Sequence, residues 1–183
     1  MSKKVLVAIA DGSEETEAVS VIDTLVRAGA DVMVASVTDK NITASRGVKL
    51  VADKVISECA GDEYDLIVLP GGKTGAENLR DSEELVAMLK KQASAGKLYA
   101  AICAAPPVVL AYHGLLEGKK ATCYPARHDH LPDKSEAHNR VVVDGNCVTS
   151  QGPGTAIEFA VKLVELLYGK AKADEIASQM LVA

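Results

Sequence analysis

Cys103 has the clearest chemical setting in the sequence. It stands between an apolar run, Leu98-Tyr99-Ala100-Ala101-Ile102, and a segment that opens with Pro106-Pro107. The order strand, nucleophile, helix is that of a nucleophile elbow. The turn is sharp, so the residues two before and two after the nucleophile must be small. Ala101 and Ala105 hold those places, and Ala104 lacks the bulk to cover a thiol. A helix starting there aims N–H groups and its dipole at the sulfur, which favours thiolate. The plainer alternative is a buried core cysteine, since free Cys is among the most buried residue types.

A thiolate needs a partner. Glu14, Glu15 and Glu17 follow the first apolar run, and a carboxylic acid kept protonated by burial can donate a hydrogen bond to sulfur. By default, glutamates at a helix start only complement its dipole on a solvated face. Helix phase leaves open which of them is buried. Pro70-Gly71-Gly72 ends another apolar run. Its glycines either form an ordinary tight turn or let backbone N–H groups approach a developing oxyanion.

Other apparent motifs fail. Gly72-Lys73-Thr74 imitates the end of a phosphate-binding loop, but the glycine required upstream is Ile67. Gly152-Pro153-Gly154 is no dinucleotide fingerprint, because position 157 is Ile. Asn41-Ile42-Thr43 matches a glycosylation acceptor without any sign of export. His128, His130 and His138 lack ligands at metal-binding spacing, so no metal and no cofactor is expected. His113 reads as a helix cap.

These residues must be held by regular elements. Strands are expected at Lys4–Ala10, Asp31–Val37, Asp65–Leu69, Leu98–Ile102 and Lys120–Tyr124, with two short strands around Arg46-Gly47. A hairpin is expected over Val141–Thr149, turning at Asp144-Gly145. Helices are expected after Ser13, read as an N-cap, over Ser82–Ala95 and Pro106–Tyr112, from Gly154 to Tyr168, and over Lys172–Met180. Pro125–Asn139 reads as a loop. Strands alternating with helices predict a three-layer α/β fold with a mostly parallel sheet. Ligands in such folds sit at the carboxyl ends of strands.

The chain has 183 residues, 48% hydrophobic, 25% charged and 3% aromatic, with a net charge of −5. That length predicts one domain over residues 1–183, large enough to bury about 70% of its unfolded surface. The aliphatic excess excludes a disordered chain. Acidic charge and few aromatics argue against nucleic-acid binding. No apolar run reaches the roughly 18 residues of a membrane helix. Nothing after Met1-Ser2-Lys3-Lys4 resembles an export signal, and Cys59, Cys103, Cys123 and Cys147 form no C-x-x-C pair. The expectation is a cytoplasmic protein with reduced thiols.

Four blocks together resemble the signatures of the ThiJ/PfpI superfamily: Ala8–Glu17, Leu69–Gly72, Ala100–Pro106 and Thr149–Thr155. Within it the chain is most similar to the DJ-one branch and its bacterial YajL-like members. The resemblance implies a flavodoxin-like, glutamine amidotransferase-like α/β sandwich and a homodimer. It assigns Cys103 as the reactive cysteine and Glu17 as its partner. Gly72 and Ala104 match the oxyanion N–H donors, Arg27 and Arg46 the dimer-side pocket arginines, and Pro153 the proline over the site. Two residues depart from the family. Ala104 stands where protease-like members have His, so no adjacent base activates the thiol for peptide cleavage. Tyr124 stands where many members have His, and Tyr is a poor base at neutral pH. Strand alternation would let only one of Cys123 and Tyr124 line the pocket, with Cys123 an auxiliary thiol.

The activity implied is glyoxalase or deglycase chemistry on methylglyoxal or early glycation adducts. The alternative is an oxidative-stress sensor or redox-regulated chaperone that forms a cysteine sulfinate. No residue specifically supports the thiazole-monophosphate role that travels with the ThiJ name.

Overall fold

Runs of branched aliphatics become the centre of a sheet. In the computed structural model, which describes residues 2–182, the elements run in this order. β1 (Lys4–Ile9), α1 (Glu15–Arg27) and β2 (Asp31–Ser36) form the opening βαβ unit. β3 (Asn41–Thr43), β4 (Lys49–Val51) and β5 (Lys54–Val55) follow, then β6 (Leu66–Leu69), α2 (Lys73–Arg80), α3 (Glu83–Ser94) and β7 (Leu98–Ile102). β8 (Val141–Asp144), β9 (Cys147–Ser150), α4 (Ala156–Tyr168) and α5 (Lys170–Gln179) complete the chain.

Seven strands pair in the order β5-β2-β1-β6-β7-β9-β8. All pairings are parallel except that of β8 with β9. A separate antiparallel hairpin joins β3 to β4. A parallel sheet must be covered on both faces, which is why its strands read as nearly continuous apolar runs. Alternation divides them between two cores. Val5, Val7 and Ile9 of β1 pack with Ala18, Val21 and Leu25 of α1 and with Phe159 and Leu163 of α4. Leu6 and Ala8 face Leu79 of α2 and Leu85 and Leu89 of α3 on the other side. Each Val, Leu, Ile or Phe side chain so buried contributes about 1.5–3 kcal/mol relative to exposure. The molecule is a flavodoxin-like three-layer α/β sandwich.

Several expectations change. Lys120–Tyr124 is not a strand, because both edges of β9 are already taken by β7 and β8. Its backbone is held by side chains instead: Thr122 N–H donates to Thr149 Oγ1 (2.9 Å) and Lys120 N–H to Asp144 Oδ2 (2.8 Å). Ser13 does not cap α1. Its hydroxyl accepts from Ala10 N–H at 2.9 Å, and Glu14 is the N-cap, accepting from Glu17 N–H at 2.8 Å. The β8–β9 turn is Gly145-Asn146, and Asp144 pairs with Cys147 within the ladder. α2 was not expected at all.

Candidate active site

The sheet order creates the site. β1 is followed in sequence by β2 on one side, and the chain later returns to place β6 on the other. Loops leaving the carboxyl ends of β1 and β6 diverge there and open a crevice. The first turn of α1, after β1, brings Glu17, the β6 loop brings Gly71 and Gly72, and the end of neighbouring β7 brings Cys103.

Cys103 has φ +64°, the left-handed region that non-glycine residues rarely adopt. This is the strained elbow expected at a nucleophile. Two backbone hydrogen bonds fix it: Cys103 N–H donates to Ser150 O (3.0 Å), and Tyr124 N–H donates to Cys103 O (2.9 Å). The helical segment after it is one wide π-type turn, Pro106–Ala111. Among the cysteines, Cys103 is partly exposed, while Cys59, Cys123 and Cys147 are buried.

Glu17 is completely buried. Its Oε2 accepts from Gly71 N–H at 2.7 Å, and its Oε1 has no hydrogen-bond partner among the described residues. Burial raises its carboxyl to about 7, against the pull of Gly71 N–H and the Cys103 thiol. Burial, together with the charge of the Glu17 carboxylate, pushes the Cys103 thiol up to about 12. The N–H groups of Gly72 and Ala104 pull it back. The effect of Glu17 on the thiol depends on where one proton lies. With Glu17 ionised, sulfur faces a negative charge. With Glu17 protonated, sulfur faces a donor, and the unpartnered Oε1 is the atom free to carry that proton. The charge each group carries therefore acts on the titration of the other.

Close approach explains the glycines. A Cβ on Gly71 would lie 2.6 Å from Cys103 Cβ and 2.8 Å from Glu17 Oε2. Gly72 has φ +85°, and a Cβ there would meet Gly12 O at 2.2 Å.

A cleft of about 730 Å³ opens onto Cys103. Gly72, Ala104, Arg46, Tyr124 and Pro153 line it. Tyr124 is 47% exposed while Cys123 is buried. One of the two thus lines the cleft, although the segment is no strand. Cys123, expected as an auxiliary thiol, is buried, and burial pushes it up to about 12. Arg27 does not line the cleft. It sits at the last turn of α1, roughly 18 Å along the helix from Glu15, paired with Asp23 at 2.8 Å. Glu15 proves to be buried as well, for a different task. It accepts from Ser45 Oγ (2.9 Å) and Arg46 N–H (2.8 Å), anchoring the β3–β4 hairpin over the cleft.

Sequence reasoning missed Lys73, Thr74 and Arg127, which also line the cleft. Lys73 and Thr74 follow the Pro70-Gly71-Gly72 strand end, so the strand-end rule could have found them. Arg127 carries no such signal. The histidines lie elsewhere. His113 Nε2 is 2.8 Å from Arg80 O, at the end of α2. The His128 and His138 rings meet edge to face at 5.2 Å. Among the described residues, no group of three or more His, Cys, Asp or Glu is placed to hold a metal, and no helix is long and apolar enough to cross a membrane.

The fold and the site together define a flavodoxin-like α/β protein with a cysteine elbow set against a buried glutamate. The chain belongs to the DJ-1/PfpI family, whose model matches residues 3–166. It is 54% identical to Protein DJ-1 homolog B of Arabidopsis thaliana over 98% of its own length, but spans 41% of that relative. It is 33% identical to the glutathione-independent glyoxalase DJR-1.2 of Caenorhabditis elegans, covering 94% of this chain and 92% of the relative. The structure described as Toxoplasma gondii DJ-1, oxidized, superposes with a TM-score of 0.97 at 54% identity, covering all of both chains.

Proposed function

We propose that the protein is a cysteine-dependent stress-protection enzyme with glyoxalase-type chemistry on methylglyoxal or early glycation adducts. The observation that carries this reading is the buried Glu17 carboxyl, with its unpartnered oxygen, beside the partly exposed Cys103. The glyoxalase named among the relatives supports it.

In this reading the Cys103 thiolate adds to the aldehyde carbon. The carbonyl electron pair moves to oxygen, and Gly72 and Ala104 N–H groups receive that oxyanion. Glu17 then moves a proton from the former aldehyde carbon to the neighbouring carbonyl carbon by way of an enediol. The result is a lactoyl thioester on Cys103. Water hydrolyses it, releasing lactate and restoring the thiol. Overall one methylglyoxal and one water give one lactic acid, with no external oxidant. Tyr124 at the mouth of the cleft orients substrate or water. Cys103→Ala is expected to abolish lactate formation in a steady-state assay. Equal rates in wild type and variant would end the reading.

A second reading is favoured by the uneven exposure of the thiols. In an oxidative-stress sensor, peroxide takes the Cys103 thiolate to sulfenate with loss of water, and a second peroxide gives sulfinate. Protonated Glu17 would hydrogen-bond the new oxygens. The oxidised state named for the Toxoplasma relative supports this. Dilute peroxide should oxidise Cys103 before Cys59, Cys123 and Cys147 by peptide mass spectrometry. Uniform oxidation would count against it. For both readings the protein is proposed to act as a homodimer in the cytoplasm, without metal or cofactor.

A further inference from the structure

Charge is distributed unevenly around the Cys103 cleft. Arg46, Lys73 and Arg127 approach it from three separate elements: the β3–β4 turn, the start of α2, and a short 3-10 helix, Pro125–His130, where a loop was expected. None of these cations forms an ion pair with a carboxylate among the described residues. Asp11 and Glu14 also line the cleft, so three cations face two carboxylates there, and one oxygen of each carboxylate is held by the backbone. Asp11 Oδ1 accepts from Thr43 N–H at 2.7 Å, and Glu14 Oε2 from Glu17 N–H at 2.8 Å. α2 opens on the same space with Gly72 at its cap and no side chain over its first N–H groups. An uncapped helix start adds positive potential to that of the cations.

Methylglyoxal is neutral and uses none of this. A small dicarbonyl also leaves most of a 730 Å³ cleft unfilled. We infer that the cleft selects α-oxoaldehydes, or their adducts, that carry an anionic carboxylate or phosphate. Arg46, Lys73 and Arg127 hold the anion while the aldehyde reaches Cys103. This rests on Cys103 being the group that attacks the substrate. It deepens that reading by giving the substrate a charge.

The test needs no turnover. Cys103 is alkylated in parallel with anionic iodoacetate and neutral iodoacetamide, and the modified peptide is quantified by mass spectrometry. The ratio of the two rates in the wild type is expected to exceed that of a free-cysteine peptide. Lys73→Gln combined with Arg127→Gln should lower the ratio roughly three- to tenfold, the size of two partly screened unit charges near the reacting atom. Arg127→Lys should keep much of it. Using the ratio removes any effect of the substitutions on the thiol itself. Inorganic phosphate at constant ionic strength should slow iodoacetamide in the wild type and not in the double variant. A wild-type ratio equal to that of the peptide, or one the double variant leaves unmoved, overturns the proposal. Failure to form lactate would sink the glyoxalase reading and leave the ratio as it is, so the two failures are separable.

Discussion

In the proposed function, Glu17 and Cys103 act by sharing one proton. A buried carboxyl raised to about 7 still holds a proton where an ordinary one, at 4.5, has lost it. When that proton faces sulfur, the thiolate forms without placing a second charge in the pocket. Iodoacetamide alkylation of Cys103 in the wild type should therefore rise with a midpoint at or below about 7 and then level off. Glu17→Gln removes the shared proton. Burial then opposes the thiolate with only the Gly72 and Ala104 N–H groups against it. Its midpoint should move upward by about one pH unit or more. A midpoint unchanged by the substitution, or a wild-type value near 8.5, the ordinary cysteine value, would undercut both functional readings. The same pair has a stability cost. The folded state holds Glu17's proton more tightly than the unfolded chain does. Its contribution is thus fully present below about 4.5 and is lost as pH rises through about 7. Glu17→Gln should match wild type near pH 4 and exceed it by up to about 3 kcal/mol at pH 8, measured by denaturant unfolding. A variant less stable than wild type at pH 8 would contradict this.

At the scale of elements, the β6–α2 junction is the part of the site least tolerant of change. Gly72 combines φ +85° with a contact of 2.2 Å for any added Cβ, whereas Gly29 has φ +89° and open space around it. Gly29→Ala should cost about 1 kcal/mol for its backbone conformation alone. Gly72→Ala should cost at least about 2 kcal/mol more, because Gly12 O must also move. Chemical denaturation of the two variants checks the difference, and equal losses would show that the junction is not tightly packed. The same junction shows where sequence reading stopped. The strands β1, β2, β6 and β7 are legible because a doubly covered sheet demands aliphatic runs, and β9 is legible as one arm of a hairpin. α2 was hidden by Gly75, a poor helix former. That glycine is there because a Cβ would lie 2.5 Å from Ser13 Cα, a contact between residues far apart in sequence. Cys103 was legible as an elbow from its flanking alanines. Glu17 was not separable from Glu15 by helix phase, since both are buried. One faces sulfur and the other holds a hairpin, and only the resemblance chose between them. Arg27 shows the converse limit, because a matching position does not by itself place a side chain in this chain's own cleft.

At the scale of the whole molecule, α1 is apolar on two sides. Ala18, Val21 and Leu25 face the sheet, yet Val19 and Val26 are exposed, and the β3–β4 hairpin leaves Val48 and Val51 in solvent, Val51 at 72%. Brought together as one patch, exposed valines on α1 and on the hairpin that Glu15 ties to it would make an interaction surface. A second copy of the chain is the proposed cover, and a two-fold axis would bring the same face of each copy together. That symmetry sharpens the test, since one substitution enters the interface twice. Val26→Asp combined with Val51→Asp would put four carboxylates where apolar contact is needed, and each charge would lose its water without a partner. Sedimentation velocity should give the wild type a mass twice 19.1 kDa and the variant the single-chain mass. The wild-type melting temperature should rise with protein concentration, as it must when folding and association are linked, while that of the variant should not. A wild type that sediments as a single chain at micromolar concentration would remove the dimer. It would also leave the exposed valines of α1 and the hairpin to some other partner.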